Sequence, residues 1–218
     1  MCGLYSFRKS AGETRSLFNY VEEPEFPPRD YVAPGGPMAV VRMDQGRRHF
    51  ALVRWGFIPS WVKEVKPGKP LINARGETVA EKPSFRNAMK RRRCLIPADG
   101  FYEWQGDTPG KKQPFFIHRP DNSLFAFAGL WEHWMGADGS EIETGVIITT
   151  TPNQEISRIY TRMPVVLAPE DFETWLTGDL DRAMSLIRPA PDGYFKVEPT
   201  RIERNPTPPK PASQMNLF

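Results

Sequence analysis

Cysteine is almost missing from this chain: its 218 residues contain only Cys2 and Cys94. Two thiols make no disulfide framework, and a chain without one suits a reducing compartment, so a cytoplasmic protein is expected. Long apolar runs are missing as well. Nothing approaches the roughly 18 consecutive apolar residues that a membrane-crossing helix needs. The opening MCGLYSFRKS has no apolar centre of the kind a secretory signal carries, and no membrane partner is expected. Histidine is scarce. His49, His118 and His133 stand at spacings that fit no ligand set, and neither a phosphate-binding loop nor a dinucleotide fingerprint occurs, so no metal and no cofactor is expected. An excess of one charge is also lacking: 29 basic against 26 acidic residues leave +3. That balance admits nucleic acid as a partner and, equally, an ordinary soluble enzyme.

Proline, by contrast, is plentiful, with 23 residues, about twice ordinary usage. Such a chain folds through many turns and short elements rather than long helices. Short apolar runs bounded by Gly, Pro, Asp or Asn predict strands at 38–41, 50–53, 94–97, 115–117, 124–130, 145–150 and 165–167. Helices are expected at 13–22, at 84–92 with Ser84 as the cap, at 169–177 and at 181–186. The length suffices for one domain with a full core, expected to be a monomer. From Pro199 the composition turns to Pro, Lys, Arg, Asn and Ser, which sets a domain at 1–198 apart from a flexible tail at 199–218.

Chemistry is first suggested at position 2. An initiator methionine is normally removed when a small residue follows it, which leaves Cys2 with an α-amine and a thiol on adjacent carbons. Their unperturbed pKa values, about 7.7–8.0 and about 8.5, keep both partly nucleophilic near neutrality. A 1,2-aminothiol reacts selectively with aldehydes: the amine forms an imine and the thiol closes a five-membered thiazolidine. An incidental or buried cysteine is the competing reading, as CLIP at 94–97 suggests for Cys94. Polar residues inside apolar segments also stand out: Asn73 in LINARGET at 71–78 and Glu103 in DGFYEW at 99–104. A carboxylate among aromatics tends to a raised pKa that suits proton transfer, and a structural ion pair is the alternative. Trp55, in RWGFIPSW at 54–61, reads as core or as a stacking surface for a base. The basic run at 90–93 reads as a phosphate-binding strip or as a solvated helix end.

Taken in order, MCG at 1–3, VAPG at 32–35, RWGFIPSW at 54–61, LINARGET at 71–78, RRCLIPADGFYEW at 92–104, KKQPFFI at 111–117, FAGLWE at 127–132 and RMPVVL at 162–167 resemble the SRAP family, the SOS-response-associated peptidase-like proteins. The resemblance implies an α+β fold, a single compact β-rich domain built mainly on an antiparallel barrel-like sheet with a few peripheral helices. It also implies an abasic-site processing protein of the DNA damage response. In that role Cys2 captures abasic sites in single-stranded DNA as a thiazolidine crosslink, and peptidase activity goes no further than removal of Met1. By resemblance, Asn73 orients the Cys2 amine or the sugar oxygens and Glu103 moves protons. Arg75 and Arg162 bind phosphates, Thr149 and Pro34 line the cleft, and Trp55 lies beside the bases.

Three positions depart from the family pattern. Leu4 stands where an arginine is usual, and leucine cannot donate to a phosphate. Tyr31 replaces an asparagine. Tyr160 replaces a histidine two residues before Arg162. A phenol, with a pKa of about 10, cannot cycle protons near neutrality as imidazole does, although it donates a hydrogen bond. Opening of the sugar ring and reversal of the crosslink are therefore expected to differ. Two other classes stay open: a non-covalent reader of single-stranded or modified DNA with impaired chemistry, and an N-terminal-nucleophile amidotransferase, a group that also begins Met-Cys-Gly. Finally, Gln214-Met215-Asn216-Leu217-Phe218 resembles the pentapeptide that docks the bacterial sliding clamp. That implies the clamp as a second partner beside DNA, with packing on the chain's own surface as the alternative.

Overall fold

The computed structural model describes residues 2–22, 24, 26–65, 68, 70–108 and 110–202. In chain order its elements are β1 (Tyr5–Phe7), α1 (Ala11–Phe18), β2 (Arg29–Val32), β3 (Pro37–Asp44), β4 (Arg47–Trp55), β5 (Asn73–Arg75), α2 (Arg86–Arg91), β6 (Arg93–Ala98), β7 (Gly100–Gln105), β8 (Gln113–His118), β9 (Phe125–Met135), β10 (Glu141–Thr150), α3 (Gln154–Ser157), β11 (Met163–Pro164), β12 (Val166–Leu167), α4 (Phe172–Thr177), α5 (Leu180–Ser185) and β13 (Lys196–Pro199). Both short strand length and the many breaks follow from the density of proline and glycine.

Five strands close into a barrel. β3 pairs with β4 and β6, β6 with β9, β9 with β10, and β10 returns in parallel to β4, so every other seam is antiparallel. β4 pairs along nearly its whole length with β3 but meets β10 only at Arg54 and Trp55. The β3–β4 hairpin turns through Gln45 and Gly46, both at positive φ (46° and 76°), the backbone twist that a two-residue hairpin favours. A second, wholly antiparallel sheet runs β13-β8-β7-β1-β2. The two sheets share one core through Tyr5 of β1. Its ring lies 5.4 Å from Trp55 and 5.7 Å from Phe127, and Phe101, Phe125 and Phe195 continue the cluster edge to face. The α+β, β-rich barrel expected from the sequence is thus the fold observed.

One seam of the barrel changes hands, and this positions the site. β4 pairs with β10 only at Thr144 and Gly145; beyond that, β5 takes over beside Ile147, Ile148 and Thr149. β5 is three residues long because Pro70 precedes it and a 3-10 turn at Gly76–Thr78 ends it.

The helices differ in detail from expectation. α1 begins earlier, because Ser10 and Glu13 form a reciprocal capping box, and it stops at Asn19, which adopts the left-handed conformation. Ser84 caps nothing; Phe85 holds that place in α2 without a side-chain bond. The basic run at 90–93 is partly structural. Arg93 is buried and donates to the carbonyls of Met89, Trp175 and Gly178, while Arg92 pairs with Glu132 at 2.7 Å. β13 carries the ordered sheet across the expected boundary, with Pro199 opposite Phe115 and the Thr200 N–H bonded to the Pro114 carbonyl at 2.9 Å. The pentapeptide at 214–218 lies outside the described residues. No described helix is long and apolar enough to cross a membrane.

Candidate active site

The residues ahead of β1 continue its ladder with β7. Tyr5 pairs with Phe101, and one step further the Tyr102 N–H donates to the Leu4 carbonyl at 2.9 Å. This lays the start of the chain along the stretch of β7 that carries Glu103. Cys2 is 1% exposed, and its thiol lies 3.9 Å from the Leu4 carbonyl. Burial pushes the thiol far above its ordinary range, and the nearby Glu103 charge pushes the same way. The Cys2 sulfur therefore rests as a neutral thiol.

Glu103 is 2% exposed between Tyr102 and Trp104. Burial is the main cause that raises its carboxyl to about 7. A carboxyl poised there gives up and takes back a proton with little bias at neutral pH. From the other side β5 presents Asn73, whose Nδ2 donates to the Cys2 carbonyl at 2.9 Å. Its Oδ1 is buried with no hydrogen-bond partner among the described residues, leaving an acceptor for an incoming group. Tyr160 follows α3, held by its N–H to the Ile156 carbonyl at 2.8 Å. Partial burial raises its phenol, and the Glu103 charge adds to the rise, so Tyr160 lies within the electrostatic reach of that carboxyl and keeps its proton. Cys2, Asn73, Glu103 and Tyr160, scattered in sequence, thus converge on one place.

Beside them runs a basic rim. Thr149 is in register with Arg75 across the β10–β5 seam. Arg75 is exposed, and its side chain makes no hydrogen bond or ion pair with a described residue. Arg162 is tied down: it forms a bidentate pair with Glu77 and donates to the Thr149 carbonyl at 2.8 Å and hydroxyl at 3.2 Å. Pro34 sits half-buried in the turn that hangs from β4 through the Gly35 N–H to the Trp55 carbonyl at 2.7 Å.

Two expected DNA contacts are placed differently. Trp55 has no exposed surface, and its indole N–H donates to the Ile72 carbonyl at 2.9 Å. It buttresses β5 and Tyr5 from inside and offers no face to a base. Thr149 is also fully buried, with its hydroxyl turned to Arg162 and to the Ala74 carbonyl, so it braces the rim from beneath. The tryptophan that does face outward is Trp61, 61% exposed and bonded to the Pro83 carbonyl at 3.4 Å. Its signal was its setting after Pro59 and Ser60, past the end of the strand, where burial is not enforced. A groove of about 710 Å³ between α1 and Phe26 lies elsewhere and contains none of the converging residues.

The family model of SOS response associated peptidase (SRAP) matches residues 1–204. The chain belongs to the SRAP family. Among SRAP relatives, the abasic site processing protein YoqW of Bacillus subtilis is 40% identical over 195 residues, covering 87% of each chain. The abasic site processing protein HMCES of Gallus gallus is 36% identical over 194 residues, which cover 76% of this chain and 57% of the longer relative. A solved protein of Bacteroides thetaiotaomicron superposes with a TM-score of 0.80 at 25% identity over 92% of both chains. A phage-related protein of Bordetella bronchiseptica does so at 0.74 and 26% identity, over 93% of this SRAP chain and 95% of its own.

Proposed function

We propose that this protein processes abasic sites in single-stranded DNA, and that it does so by covalent capture at Cys2 once Met1 has been removed. The observation that carries this reading is the grip on Cys2: its carbonyl is held by Asn73 at 2.9 Å and its side chain sits within the influence of a carboxyl raised to about 7. Because burial keeps the thiol neutral, the amine attacks first. The nitrogen adds to C1′ of the ring-opened sugar, and its first proton passes through Glu103 to the aldehyde oxygen, giving the carbinolamine. The second nitrogen proton follows the same route to the hydroxyl, which leaves as water and gives the imine. The thiol then adds across the resulting C=N bond, with its proton passing through Glu103 to the ring nitrogen. Aldehyde and aminothiol become thiazolidine and one water. Tyr160 supports ring opening as a neutral donor to the sugar oxygen rather than as a proton shuttle.

Arg75 and Arg162 serve the flanking phosphates, Pro34 the cleft wall and Trp61 an adjacent base. Peptidase chemistry extends to Met1 alone, and the tail at 214–218 is assigned to a sliding-clamp contact that tethers the domain to replicating DNA in the cytoplasm. The replacement of histidine by Tyr160 favours one second reading, a binder of single-stranded DNA that has lost the covalent step. A denaturing gel separates the two. Mixed with an abasic single-stranded oligonucleotide, the protein should give a denaturant-stable shifted band that Cys2→Ala lacks. A band only under native conditions selects the non-covalent reader.

A further inference from the structure

The Glu77 carboxylate occupies the position in this rim that an anion from outside would take. It lies across both Arg162 Nη atoms, the two-point geometry by which a guanidinium also holds a phosphate. Arg162 lowers its pKa most, by hydrogen bonding, and the charge of Arg75 contributes as well, so the carboxylate feels both rim arginines. Arg162 is otherwise spent on Thr149, and its side chain is 15% exposed against 47% for Glu77. The seam that places this pair is the one that places Asn73, two residues before Arg75 on the same face of β5.

We infer that Glu77 is a specificity-determining residue that acts as an internal phosphate mimic: it occupies Arg162 until a DNA phosphate displaces it. Intact single strands then meet a rim with one of its arginines neutralised and are held weakly. Retention depends on the chemistry at Cys2 rather than on charge. This inference rests on the proposed single-stranded DNA substrate, but not on the covalent step.

The test measures equilibrium binding of the full chain to a lesion-free single-stranded oligonucleotide across a salt series. Glu77→Gln keeps the shape and removes the charge. It should tighten binding by about fivefold, the scale of one partly exposed ion pair. It should also steepen the dependence of log affinity on log salt by about 0.7, the increment for one more phosphate neutralised on a single strand. In an Arg162→Gln background the same substitution should give a clearly smaller gain, the residue left by Arg75. Glu77→Asp, which keeps the charge, should behave as wild type. Unchanged affinity and slope in Glu77→Gln, with thermal midpoints matching the wild type, would make Glu77 a brace and overturn the proposal. So would a gain of equal size in the Arg162→Gln background, which would reduce the effect to general repulsion. Because the oligonucleotide carries no lesion, failure of covalent capture leaves this measurement intact.

Discussion

Cys2 and Cys94 are both buried, and burial lifts both thiols far above their ordinary range, yet their surroundings differ in kind. Cys94 lies in β6 where every residue is buried, its sulfur close to Gly129 of β9, its carbonyl bonded by the Trp175 indole at 2.9 Å, and the charge of Arg42 acting on it. Cys2 has a carbonyl fixed by Asn73, a carboxyl beside it and, once Met1 is gone, an amine of its own. Burial alone therefore does not mark a reactive cysteine. It silences the thiolate in both, and the proposed reaction instead draws on the Cys2 amine as nucleophile, with Glu103 as proton acceptor.

The largest effect that would break this contrast is loss of the adduct. Cys2→Ala should abolish the denaturant-stable complex with abasic DNA. Cys94→Ala should keep it while costing about 1–2 kcal/mol of stability, the scale of a small group deleted from a packed core; chemical denaturation and gel analysis of the pair check both. Glu103→Gln should slow capture by about 10²–10⁴-fold, the usual worth of acid–base catalysis, without a matching loss of DNA affinity. It has a second signature. The buried carboxyl holds its proton more tightly in the folded chain than in the unfolded one, so its stabilising effect is complete below the ordinary value of 4.5 and is lost as pH rises through about 7. Glutamine mimics the protonated form. Glu103→Gln should raise the thermal midpoint by several degrees at pH 8 and hardly at all at pH 5.

Smaller effects sharpen the same picture. Asn73→Ala frees the Cys2 carbonyl and should slow capture by roughly tenfold, the scale of one buried hydrogen bond lost, in a single-turnover measurement. Tyr160→His restores a group that titrates near neutrality, and should speed both formation and reversal of the crosslink by up to about tenfold. Equal rates in that variant would show that another group supplies the proton. Least of all, removing residues 203–218 should leave capture by the isolated protein unaltered and abolish only binding to purified sliding clamp.

How far the sequence disclosed this molecule varies along the chain. The barrel strands were legible because each is an apolar run closed by Gly, Pro, Asp or Asn, as in the segments around Val40, Leu52, Ile96 and Ile147. β1, β2, β5 and β13 were not, since strands of three or four residues broken by Ser6, Asp30, Asn73 or Glu198 carry no readable period. One of those polar interruptions, Asn73, belongs to the site. Asn73 and Glu103 stood out because neither belongs in a core segment, and the family resemblance joined them to Cys2 and Tyr160. Trp55 and Thr149 were misplaced because motif position says nothing of depth: both lie under the rim they were expected to form. Trp61 and Glu77 were passed over since each looks like an ordinary surface residue until its neighbours across the fold are known.

The most direct measurement is the intact mass of the product formed with an abasic oligonucleotide, followed by mapping of the attachment point. The expected mass is that of the chain without Met1 plus the oligonucleotide minus one water, stable without chemical reduction, with the DNA fragment on Cys2. A product attached elsewhere, one that survives only after reduction, or no covalent product at all would contradict it.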